Sequence, residues 1–294
     1  MSNTVKLPHQ KELFGHPVGL YVLFFTEMWE RFSYYGMRSI LVIYMISQAT
    51  SENGPGLGWT NLEAYQLYGW YVMLVYLISI PGGILADKVL GQKKTVMLGA
   101  VLLSIGHGIL AIEANWAFFT GLGFIIIGVG CLKPNISTMV GGLYKKGDIR
   151  RDKGFTIFYI GINVGAFLSS LIVGTVGEVY GWHYGFGLAG IGMAAGLVQY
   201  LFGQKYLKSV GNFLGASENK DEKDAMNKPL SKIEKDRVVV LLISFLLIIA
   251  FFAAFEQAGG LMNIYASEKT DRMLMGWQVP ATWFQSLNSF FIIT

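Results

Sequence analysis

"EMWERFSYYGMR", residues 27–38, sits inside a run otherwise suited to lipid, with "LYVLFF" before it and "SILVIYMI" after it. Each charge held near the centre of a membrane helix costs about 2.5 to 3.5 kcal/mol on insertion scales. Two glutamates and two arginines on one span therefore need a shared polar surrounding. At about 100° per residue, Glu27, Glu30, Arg31, Tyr34 and Arg38 fall on one stripe of a helix, with Glu27 four residues ahead of Arg31 in the favourable order.

The rest of the chain has the composition of a membrane protein. It is 53% hydrophobic and 14% charged, against about 25% charged for ordinary soluble domains. Seven apolar stretches are long enough to cross a hydrocarbon core of about 30 Å, near residues 18–47, 62–89, 95–113, 115–143, 154–180, 183–204 and 237–266, and an eighth begins near 281. They predict helices, because backbone polar groups in lipid must be satisfied within the segment and barrel strands alternate instead of running continuously apolar. Thr60 and Glu63 have the spacing of a capping box at the start of the second helix, on which Tyr65, Tyr68 and Tyr76 share a face.

Charge placement predicts orientation. Eighteen of the 23 lysines and arginines lie in the N-terminus, the 2–3 loop, the 4–5 loop and residues 205–237, and loops 48–61, 113–115 and 180–183 carry none. The positive segments alternate along the chain and share a side, which the positive-inside rule assigns to the cytoplasm. The net charge of +4 is thus a topology signal and gives no support to a nucleic-acid partner. Residues 211–236 are polar and mixed in charge, as expected of a cytoplasmic linker after a six-helix bundle. The first seventeen residues are polar and show no cleavable signal peptide.

The ionisable groups expected at depth are Glu27, Glu30, Arg31, Arg38, Lys133 and Glu256, three acids facing three bases. Such a set marks a substrate or proton path more often than a packing network, since buried pairs seldom repay their desolvation. Lys133 lies well inside a span, where Pro134 frees a backbone carbonyl. Glu256 is followed by glycines that let a helix or ligand approach closely. His107 is expected to be a hydrogen-bonded packing residue, and Cys131, the single cysteine, a packing residue unable to form an intrachain disulfide. The glycines of "GLGFIIIGVG" have the wrong spacing for a nucleotide loop and predict close helix packing. No phosphate loop, zinc-type spacing or Gly-x-Ser-x-Gly turn is present, so no cofactor, metal or enzymatic chemistry is predicted.

At this point the chain resembles a known family. "EMWERFSYYGMR" is similar to the E-x-x-E-R-F-x-Y-Y signature of proton-dependent oligopeptide transporters, the POT/PTR branch of the major facilitator superfamily. "GGILADKVLGQKK", "KPNISTMVGGLY", "FTIFYIGINVGAF", "FEQAGG" and "WFQSLN" follow in the family's order, and the resemblance runs from about residue 18 to the end. It implies an all-α membrane protein of the facilitator fold: a cytoplasmic N-terminus (1–17), an N-terminal six-helix bundle (18–204), a cytoplasmic linker (205–236) and the first part of a second bundle (237–294). It implies proton-coupled import of di- or tripeptides across the cytoplasmic membrane by alternating access, driven by the proton gradient.

Residue by residue, the resemblance implies proton coupling at Glu27, Glu30, Arg31, Lys133 and Glu256. Substrate binding falls to Tyr34, Tyr35, Arg38, Tyr76, Lys133, Asn163, Glu256 and Asn288. Arg38 and Lys133 would attract the peptide carboxylate, and Glu256 would pair with Arg38 or hold the amino terminus. Physical reasoning agrees: a zwitterionic peptide needs a cation, an anion and tolerant aromatic walls, and a buried carboxylate beside a base can carry a proton. Two departures stand out. Ser289 replaces the proline expected after "QSLN", and the chain stops at Thr294 part-way through an eighth span, so that further helices of the same protein are expected to complete the transporter. Symport of another small solute, such as nitrate or an amino-acid derivative, and a non-transporting scaffold or receptor are the competing readings.

Overall fold

A computed structural model describes residues 11–48, 50, 54–145, 147–208, 210–213 and 231–294. The first ten residues and positions 214–230 of the expected linker lie outside the described residues. Within them the chain is a bundle of long helices with two short antiparallel hairpins, β1(Glu12–Leu13) with β2(His16–Pro17) and β3(Met273–Leu274) with β4(Trp277–Gln278).

Helix α1(Val18–Ile46) is the centre of the bundle, packed between α6(Arg151–Tyr180) and α7(Trp182–Leu207). Around it stand α2(Asn61–Leu77), α3(Ser79–Leu85), α4(Gln92–Leu110) and α5(Asn115–Gly142). Six helical segments of the described residues are long and apolar enough to cross a membrane. α1 has the length, 29 residues, but carries Glu27, Glu30, Arg31 and Arg38, and its charges are covered by the other helices instead of facing lipid. The protein is an all-helical, multi-pass membrane protein.

The second predicted span is a composite. α2 begins at the expected capping box, with Thr60 Oγ1 accepting from the Glu63 backbone and Glu63 from the Thr60 backbone. It ends at Leu77 because Pro81 has no N–H to offer the Leu77 carbonyl. The chain continues as α3 and a π-helical turn, Ala86–Leu90. α3 then crosses α5 at its own proline. Pro134 cannot bond the Gly130 carbonyl, and Gly82 packs directly on that oxygen: a Cβ at Gly82 would overlap it. The Asn135 amide ties the crossing by donating to the carbonyls of Gly82 (3.3 Å) and Cys131 (2.7 Å).

α4 and α5 meet in antiparallel register through glycines seven residues apart on each helix. Gly99 lies against the Gly128 backbone and Gly106 against that of Gly121. Close packing is thus what "GLGFIIIGVG" supplies. Cys131 is buried and free. His107 departs from expectation: it is fully buried, but among the described residues neither ring nitrogen finds a hydrogen-bond partner.

Two boundaries move. α7 runs on to Leu207 and α8(Lys232–Phe255) starts five residues before the expected span, with its own capping box at Ser231 and Glu234, so the segment joining them is shorter than 205–236. The seventh span is also broken. After α8 come a 3₁₀ turn, Glu256–Ala258, Gly259 and Gly260, then α9(Leu261–Glu268). α10(Trp283–Ile293) follows and packs along α6.

Candidate functional site

The polar stripe of α1 divides into two groups. In the first, Arg31 Nε donates to Glu27 Oε1 at 2.7 Å and stands 2.9 Å from Glu30 Oε2, with all three side chains no more than 3% exposed. A single N–H cannot serve both carboxylates well. It is aimed at Glu27, and among the described residues both Glu30 oxygens are left without a hydrogen-bond partner. Glu30 is therefore the buried acid with acceptor capacity to spare.

The second group forms where the seventh span breaks. Arg38 Nη1 donates to Glu256 Oε2 at 2.7 Å, and Tyr76 gives its hydroxyl to Glu256 Oε1 at 2.9 Å. The unwound backbone is satisfied from α2: the Tyr68 hydroxyl donates to the Glu256 carbonyl at 3.2 Å. Gly259 and Gly260 make this approach possible, since a Cβ on either would meet the ring or hydroxyl of Tyr68. The tyrosine face predicted for α2 is thus the face that receives the broken helix, the usual use of irregular backbone at membrane depth.

Lys133 reaches the same region from α5. Its ammonium lies 4.6 Å from the Tyr76 ring centroid and, among the described residues, has no carboxylate oxygen within 4.0 Å. It remains within electrostatic reach of Glu30, Glu27 and Glu256. Tyr35 joins the two groups, its ring 5.8 Å from the Arg31 guanidinium and 5.2 Å from that of Arg38.

A cavity of about 500 Å³ opens beside Arg38, between α1 and α6 on one side and α8 and α10 on the other. Tyr35, Arg38 and Asn163 line it from the first side, and Phe255, Gln285 and Asn288 from the second. Tyr34 does not line it. It is 5% exposed and stacks on Tyr71, with ring centroids 6.4 Å apart, because neighbouring positions on a helix point about 100° apart. Tyr76, Lys133 and Glu256 stand outside the cavity lining, in the ion and hydrogen-bond group next to it. Gln285 has no local signal in the sequence; one amide on an apolar helix reads the same whether or not a cavity lies beside it.

Known proteins share this fold. A POT family model matches residues 93–217. The peptide transporter YePEPT of Yersinia enterocolitica is 36% identical over 354 aligned positions, which cover 100% of this chain and 68% of the relative. The chain belongs to the POT family. The di-/tripeptide transporter of Lactococcus lactis subsp. lactis is 43% identical over 85% of this chain and 48% of its own length. A crystal structure of the peptide transporter POT, a mutant form in complex with alafosfalin, superposes with a TM-score of 0.80 at 36% identity, covering 97% of this chain and 67% of that one. These relatives are transporters, not enzymes, and the fold of the chain is that of the POT family.

Proposed function

We propose that the protein is a proton-coupled symporter of di- and tripeptides in the cytoplasmic membrane, with its N-terminus inside. The observation that carries this reading is one cavity lined from its two sides by a cation, two amides and aromatic rings: Arg38, Asn163, Asn288, Tyr35 and Phe255. Arg38 takes the carboxylate of the peptide, the two asparagines its backbone amides, and Tyr35 and Phe255 tolerate varied side chains. Glu256, paired with Arg38, is freed to meet the peptide amino group when the carboxylate takes its place.

Proton coupling belongs to the neighbouring group. Glu30 has two oxygens without donors beside an arginine already committed to Glu27. A proton arriving on Glu30 alters the balance felt by Lys133 and, through it, by Glu256. Tyr35 connects this balance to Arg38. The segments 18–204 and 237–294 act as parts of two bodies that rock about the cavity, with residues 205–236 on the cytoplasmic side between them. Lysine and arginine placement supports that orientation.

The test is uptake of labelled dialanine into liposomes containing the protein, with an inward proton gradient imposed and then collapsed. Uptake that follows the gradient and is displaced by unlabelled dialanine is expected. Uptake unaffected by collapse, or by excess dialanine, would overturn the reading.

A further inference from the structure

Glu178 lies in the last turn of α6, at the end of the bundle where α1 also ends, and is 12% exposed. Its partners come from a segment about a hundred residues later. Oε1 accepts from the Thr282 backbone N–H at 2.9 Å and from the Thr282 hydroxyl at 2.8 Å. Oε2 accepts from the Ala281 N–H at 2.9 Å and from Arg272 Nη1 at 3.3 Å. These N–H groups sit at the start of α10, where the first turn of a helix has donors without intrahelical acceptors and favours a negative charge. Arg272 is itself held by donating to the Val279 carbonyl at 2.9 Å, so the β3–β4 hairpin is gathered into the same knot. Next to it, a Cβ at Gly174 would strike the Thr282 side chain, and Trp283 Nε1 donates to Thr175 Oγ1 at 2.8 Å.

We infer that Glu178 is a positioning residue and the outer latch of the transporter: it holds α10 against α6, and outward opening requires its release. The inference rests on the alternating-access reading above. Two features suit it to release and not to permanent stapling. Every hydrogen bond named for its carboxylate crosses the same seam, so they break together when α10 leaves α6. The site is also partly exposed, so water can replace the lost partners. One and two turns below the latch, α10 carries Gln285 and Asn288, the far wall of the cavity. On the α1 side of the seam, the Asn263 amide donates to the Ser39 carbonyl at 2.7 Å, beside Arg38, so the broken seventh span is fastened at the same end. Closing the latch therefore completes the cavity.

The experiment reads one-sided access in the absence of peptide. In a Cys131→Ala background, Ser170→Cys on α6 places one thiol in the cavity wall, and a membrane-impermeant maleimide is applied from each face of proteoliposomes. Glu178→Gln is expected to raise labelling from the outer face about tenfold and to lower it from the inner face, as the loss of charge-assisted bonds shifts the equilibrium. Thr282→Val is expected to shift it the same way by a smaller factor, and it carries the test should Glu178→Gln fail to fold. Unchanged labelling in the variants that fold, or a rise from both faces, overturns the latch, because a merely structural role loosens the protein without choosing a side. Since no peptide is used, failure of dialanine uptake would leave this result readable.

Discussion

Arg38 and Glu256, 218 residues apart in the chain, meet at 2.7 Å with side chains 7% and 13% exposed. The pair joins α1 to the broken seventh span next to the cavity, and among the described residues Arg38 has no other carboxylate oxygen within 4.0 Å. Removing one partner strands the other in a poorly hydrated place. Glu256→Leu is expected to destabilise the protein by about 3 to 5 kcal/mol, and Arg38→Met with Glu256→Leu by much less than the sum of the single changes. Denaturant unfolding of the four members of the cycle in detergent measures this. Additive costs would mean that the pair is not coupled.

Glu30 tests the proton role separately from stability. Glu30→Gln preserves shape and removes the titratable group together with its ion pair to Arg31, at a carboxylate whose oxygens have no hydrogen-bond partner among the described residues. Gradient-driven uptake of dialanine is expected to disappear while exchange of dialanine across the membrane partly survives. Equal loss of both activities in normally folded protein would count against a specific proton role.

Two neighbouring glycines make opposite predictions. A Cβ at Gly82 would overlap the Gly130 oxygen, whereas one at Gly83 meets nothing within 4 Å among the described residues. Gly82→Ala is expected to cost about 1 to 3 kcal/mol or more through forced separation of α3 and α5. Gly83→Ala is expected to be neutral or to stabilise by up to about 1 kcal/mol through helix propensity. Thermal unfolding of the two variants side by side decides the matter.

The loop between α5 and α6 carries a pH dependence of known sign. Arg150 donates its side chain and its backbone N–H to Asp148, which holds the carboxyl down to about 2. A depressed carboxyl contributes stability above its ordinary range and loses it as pH falls, here between about pH 4 and pH 2. The same arginine donates to Glu12 at 2.9 Å and to the Gly15 carbonyl at 3.0 Å, anchoring the first hairpin. Asp148→Asn is therefore expected to speed amide exchange at Val18 and in the hairpin between pH 6 and 8, by a factor that does not vary over that range once intrinsic rates are removed. No change in exchange would show that Arg150 holds the hairpin without Asp148.

The sequence by itself determined the apolar spans, their helical nature, the capping box at Thr60 and the residues that must avoid lipid. Each of these follows from a cost paid locally, by one segment against water or hydrocarbon. It also marked the tyrosine face of α2 and the carbonyl freed by Pro134, because helix geometry fixes what stands one turn away. Only the tertiary structure decided that Tyr35 and not Tyr34 faces the cavity, that the Arg31 Nε–H is donated to Glu27 and not to Glu30, and that the seventh span breaks at Glu256. Glu178 shows why. At a helix end it looks like any terminal polar residue, and its importance comes from Thr282, Ala281 and Arg272, which reach it only because α10 packs on α6. Pairing across a hundred or two hundred residues is set by the packing of whole helices, and no local pattern of side chains encodes which partners that packing will bring together.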